Sequence, residues 1–96
     1  MSQVSETMRR GETEFFHWCP GCNMMHPLPD RWAFDGNLLQ PTFLPSFRQM
    51  QVHEGRDCHY NITAGQIVWH PDSWHGRLGS EPMVTLASVG MADYPQ

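Results

Sequence analysis

The sequence predicts a mostly β chain: a small antiparallel-sheet domain with a zinc-ribbon-like knuckle and long loops. Three observations carry that expectation. Eight Pro and eight Gly are scattered through 96 residues, which leaves little room for long helices. No stretch keeps a 3.6-residue apolar period over three turns. Two local patterns then have β meanings, "CHYNITAGQIVWH" at 58–70 and "CPGC" at 19–22.

The first thirteen residues, "MSQVSETMRRGET", are polar and lack the apolar segment of a secretory signal. They are expected to form a flexible N-terminal arm, 1–13, leaving 14–96 as a single zinc-stabilised β domain. "TEFFHW" (13–18) reads as a strand leading into the cysteine pair. "RWAFDG" (31–36) alternates Trp32 and Phe34 and stops at a turn-forming Asp-Gly. In "SFRQMQVH" (46–53) the set Arg48, Met50, Val52 is the more apolar face. Residues 58–70 form the clearest hairpin, two β-prone runs about Ala64-Gly65, with Cys58, Tyr60 and Ile62 on one face and His59 on the other. A short helix or single turn is expected near 71–77, and "PMVTLASV" (82–89) reads as the last strand. Most of the aromatic residues are expected in the core.

Composition narrows the function. The formal net charge is −4, and all six strong bases are arginines that do not cluster, which disfavours tracking of a phosphate backbone. No run reaches the roughly 18–20 apolar residues of a membrane span. Three cysteines without a secretory signal point to reduced thiols or metal thiolates in a cytosol rather than a disulfide framework.

Cys19-Pro20-Gly21-Cys22 can bring two thiolates to one ion from a single turn. Pro fixes φ, Gly relieves crowding, and Asn23 tolerates the left-handed geometry that often follows. Zinc takes four S or N donors in a tetrahedron, so two more are needed. Cys58, as the remaining cysteine, is the expected third ligand and His75, in "DSWHG", the fourth, with Asp72 placed to orient an imidazole. His26 and His59 are the alternative ligands or outer partners. His70 lies five residues before His75, in an H-x4-H spacing. His17 and His53 read as surface or half-buried strand residues. A redox CxxC would need a βαβ setting that is absent here, and a metal-free turn is the bland alternative. Trp74, in a Pro/Ser/Gly loop between two histidines, is the aromatic residue expected to contact a partner.

"FHWCPGCNMMH", "WAFDGNLLQPTFLPSF" and "CHYNITAGQIVWHPDSWHGRLG" together resemble a family of small phage and prophage proteins, over roughly residues 15–80. Its members carry W-C-P-G-C-x-x-x-H, P-T-F-x-P-S, C-H-x-[FY]-[IV] and D-[SC]-x-H blocks in that order, and bear the labels ammonia monooxygenase or anaerobic dehydrogenase. The chain holds no recognisable copper site or molybdopterin pocket for those activities. The resemblance implies roles for Cys19, Cys22, His26, Cys58, His59, Asp72 and His75. Its Ser-or-Cys choice at Ser73 implies that this residue is no obligatory ligand, and "GRLGSEP" after His75 departs from the family's run.

The expected function is a phage-encoded, zinc-stabilised protein-interaction module in the host cytoplasm, a class that includes inhibitors of host or defence proteins. It has a host or phage protein as partner and no assigned catalytic residue. The alternative is a small metal-dependent hydrolase or nuclease using His26, His59 and Asp72 beside the zinc. A nucleic-acid-binding zinc module is the third reading.

Overall fold

A computed structural model of the chain describes residues 2–49 and 57–92. Its described residues form two antiparallel sheets and no α-helix. The first sheet is a meander of β1 (Ser2–Gln3), β2 (Met8–Arg10), β3 (Glu14–Cys19) and β4 (Met24–Pro29). The second runs β5 (Ala33–Phe34), β6 (Phe43–Gln49), β7 (Cys58–Thr63), β8 (Gln66–Trp69) and β9 (Ser80–Pro82), each strand beside its sequence neighbour. Neighbour-to-neighbour pairing is what short loops and many turn residues permit. No helix is long and apolar enough to cross a membrane among the described residues.

The β7–β8 hairpin forms where the sequence places it. Ala64 and Gly65 both have positive φ, 48° and 76°, as a two-residue hairpin turn matching strand twist requires. Period two then turns Cys58, Tyr60 and Ile62 inward, and Ile67 and Trp69 join them from β8. Phe43 and Phe47 of β6 complete this wall, and Met8, Phe15 and Leu28 from the first sheet close over it. Phe15 meets Phe34 and Phe43 edge-on at 5.2 and 6.0 Å, so aromatic contacts tie sheet to sheet. Burial of each such side chain contributes about 1.5–3 kcal/mol.

Four expectations are corrected. Residues 2–10, read as part of a flexible arm, are built into the first sheet: Met8 is fully buried and pairs with His17. An apolar anchor in an otherwise polar segment was enough to add strands. In β6 the inward face is that of Phe47, fully buried, and Arg48 is exposed. Phe47 lies 4.2 Å from Trp32 and 5.7 Å from Tyr60, and one ring locked among rings sets the register. Met50, Val52 and His53 lie outside the described residues. The segment 31–36 contributes only the two residues of β5, because Trp32 already belongs to a turn, its amide donating to the Pro29 carbonyl at 3.2 Å. The expected last strand, 82–89, is instead the end of β9 followed by a 3-10 turn at Leu86–Val89. Pro82 lacks the amide to continue a ladder, Leu86 is fully buried, and Gly90 closes the turn at φ 74°.

Candidate functional site

The β3–β4 connection is the knuckle. The Asn23 amide donates to the Cys19 carbonyl at 2.8 Å, and Asn23 adopts φ 54°, the left-handed turn that an Asn accommodates. Cys19 faces inward from the end of β3, and Cys58 faces it from the start of β7. His75 reaches in from the loop after β8. Donor atoms of Cys19, Cys22, Cys58 and His75 all lie within 4.8 Å of one another. Cys19 Sγ is 3.7 Å from Cys58 Sγ, and Cys58 Sγ is 3.3 Å from His75 Nε2. A tetrahedron with 2.3 Å metal–sulfur bonds has an edge of about 3.8 Å, so the sulfur spacing suits an ion and is far too long for a disulfide. These residues could bind a metal ion.

The electrostatics of the three thiols agree with that. A hydrogen bond with Cys58 is the largest influence holding Cys19 down, to about 3; burial opposes it and His26 assists. The same Cys19–Cys58 bond, with burial, pushes Cys58 up, and burial pushes Cys22 up. One thiolate is tolerated and three are not, which is the condition a divalent cation relieves. Burial also lowers His75, keeping its imidazole neutral as a ligand must be. Gly21 admits His75: a Cβ there would fall 2.4 Å from the imidazole.

His26 is buried opposite His17 in the β3–β4 register and hydrogen-bonds to Cys19. It lies outside the four converging donors, as a partner to one of them. His17 is buried rather than half-exposed; its Nε2 shares a 2.6 Å hydrogen bond with the Tyr60 hydroxyl, and its Nδ1 has no hydrogen-bond partner among the described residues. Burial pushes it down to about 4, so it stays neutral at pH 7. Trp74 is 41% exposed and its indole N–H donates to Cys22 Sγ at 3.3 Å, so this exposed aromatic also braces the knuckle.

On the opposite face of β7 a second cluster forms. His59 points away from Cys58, and Asp72 meets its Nδ1 at 3.0 and 3.2 Å. A carboxylate only accepts, so Nδ1 carries the proton and Nε2 is left with a lone pair. Ser46 Oγ lies 3.1 Å from that Nε2 and donates to it. His59 first, and then the Arg48 guanidinium 2.6 Å away, hold Asp72 below the usual carboxylate range, against partial burial. Ser46, His59 and Asp72 are therefore hydrogen-bonded in the order that a nucleophile, a base and an orienting acid take in acyl transfer.

Local structure explains each placement. The β6–β7 ladder pairs Phe43 with Ile62 and Phe47 with Tyr60, so three residues of β6 oppose one of β7. Such bulges re-aim side chains, and Ser46 sits in this one. Ser73 seats the Asp72 loop: its hydroxyl accepts from the His59 amide at 2.9 Å and donates to the His59 carbonyl at 2.8 Å. His70 stacks on His59 with ring centroids 3.9 Å apart and planes 16° apart. His59, His70 and Asp72 are close enough to share an ion. However, imidazole lone pairs lie in the ring plane, and two nearly parallel rings send them along parallel planes rather than to one point. The cluster fits a triad better than a metal centre.

Sequence reasoning placed His59 and Asp72 near chemistry but missed Ser46. No nucleophile-elbow pattern flags it; the one signal was its position in the P-T-F-x-P-S block, and only the bulge gives that serine a histidine.

No curated protein and no solved structure matches the chain. A family model described as bacterial ubiquitination-like system serine protease (BubE) matches residues 2–70. The matched span includes Ser46, His59 and the three cysteines, and it ends before Asp72 and His75. With the match covering well over half of its 96 residues, the chain belongs to the BubE family.

Proposed function

We propose that this chain is a serine hydrolase of the protease type acting within a bacterial ubiquitination-like system. Ser46 is the nucleophile, His59 the general base and acid, and Asp72 the residue that fixes the His59 tautomer. The observation that carries this is the hydrogen-bonded series from Ser46 Oγ through both His59 nitrogens to Asp72. The printed description of the family as a serine protease supports it. In the reaction Ser46 Oγ attacks an acyl carbon while His59 Nε2 takes its proton. The same proton then goes to the leaving group, and water hydrolyses the ester by the reverse roles. Asp72 is half exposed, so the triad is open enough for a protein substrate to reach.

Cys19, Cys22, Cys58 and His75 hold zinc in this reading, since mixed sulfur and nitrogen donors at tetrahedral spacing suit that ion. Four protein donors would saturate it, which makes it a structural metal and leaves the chemistry to Ser46. The free thiols of Cys19, Cys22 and Cys58 suit the reducing cytosol of this reading. Exposed Trp74 and Leu78 support the protein-contact part of the interaction-module reading. Here those side chains serve contact with the substrate protein.

The test is labelling with a fluorophosphonate, which phosphonylates only an activated serine. Intact mass should rise by one adduct mapped to Ser46, and Ser46→Ala should abolish it while melting like wild type. A folded wild-type protein that takes no adduct, or takes it elsewhere, refutes the assignment.

A further inference from the structure

The metal cluster and the triad are built on the same two pieces of chain. Cys58 and His59 are consecutive on β7 and face opposite ways. Asp72 and His75 stand three residues apart in the loop that follows β8. Between them, Ser73 bonds to the His59 backbone, the Trp74 amide donates to the Asp57 carbonyl at 3.0 Å, and the Trp74 indole donates to Cys22. The loop's other described backbone bonds include local turns, Ser73 to His70 and Gly76 to Ser73, both 3.2 Å. These shape the loop without tying it to the sheet.

We propose that Cys58 and His75 are positioning residues for the triad. Zinc at the cysteine cluster draws His75 onto the knuckle and Cys58, and thereby holds Asp72 against His59. Metal occupancy then sets the reactivity of Ser46. This rests on the zinc and triad assignments above. The physical reason is that Asp72 accepts a hydrogen bond from neutral His59 at the protein surface, and one such bond is too weak to order a loop. Ordering costs conformational entropy at every residue, and a zinc site whose binding energy is coupled to folding supplies what that hydrogen bond does not. The close seat of His75 on Gly21 makes the geometry specific: the loop has one docked position, and in it Asp72 faces His59.

The experiment uses the full chain loaded with zinc, stripped with a chelator, and reloaded, together with His75→Ala and His75→Cys. Three readouts are taken: the fluorophosphonate labelling rate, the low-field proton resonance of His59 Nδ1–H bonded to Asp72, and the methyl signals of Ile62 and Ile67. Stripping zinc should slow labelling about tenfold or more and remove the low-field resonance, while both core methyls stay dispersed. Reloading should restore both, and His75→Cys, which keeps four soft donors, should resemble wild type where His75→Ala resembles the stripped protein. Unchanged labelling and resonance in the zinc-free protein overturn the proposal. So does loss of the core methyl dispersion in step with them, since the metal would then hold the whole fold rather than the loop. If the zinc-loaded chain shows a zinc-dependent resonance but no Ser46 adduct, the hydrolase reading fails and the positioning role stands.

Discussion

The grip of the Asp72 loop on β7 can be measured at one hydroxyl. Ser73 is buried, and its Oγ accepts from the His59 amide and donates to the His59 carbonyl. In Ser73→Ala the His59 carbonyl keeps the His70 amide at 3.0 Å, so it retains an acceptor's partner. The His59 amide loses its bond to Ser73 in a place with little room for water. The cost is therefore that of one orphaned buried donor, about 1–3 kcal/mol, rather than of two lost hydrogen bonds. In a chain of 96 residues, each 1 kcal/mol lowers the melting temperature by about 4–8 °C. A loop no longer seated at Ser73 also lets Asp72 drift from His59, and misplacement by about 1 Å costs up to ~10²-fold in rate. Scanning calorimetry and fluorophosphonate labelling of the zinc-loaded variant read the two effects separately. Ser73→Cys, with a weaker donor and acceptor, should fall between alanine and wild type on both. A Ser73→Ala protein that melts within about 2 °C of wild type and labels at the same rate refutes the reasoning.

Two further outcomes are expected. Asp72→Asn should lower the hydrolysis or labelling rate by about 10⁴-fold, because an amide nitrogen favours the wrong His59 tautomer. Its melting temperature should stay close to wild type, since the ion pair with Arg48 is half exposed; a parallel loss of rate and stability would contradict the assigned role. Tyr60→Phe should destabilise by about 2 kcal/mol, because it leaves a second nitrogen of the buried His17 ring unpaired beside the already unpartnered Nδ1. Urea denaturation reads this directly, and wild-type stability would mean that His17 is solvated after all.

Periodicity and turn chemistry were enough to read the β7–β8 hairpin, since Ala64-Gly65 and the alternation through Cys58, Tyr60 and Ile62 are all local. The knuckle was legible for the same reason: Pro20, Gly21 and Asn23 each meet a stereochemical demand of one turn. The inward face of β6 was not, because Phe47 is fixed by Trp32 and Tyr60, which are distant in sequence. Met8 likewise has no local partner that announces a strand; it pairs across β3.

By itself, then, the sequence determined the β class, the tight turns and the soft donors on a knuckle, all of which depend on residues within a few positions of one another. Tertiary structure alone decided which histidine serves which site. The alternation of β7 sends Cys58 to one face and His59 to the other, the β6 bulge aims Ser46 at His59, and one loop carries Asp72 and His75 to opposite sides of the strand. Such a juxtaposition is a property of packed strands, and no spacing along the chain encodes it.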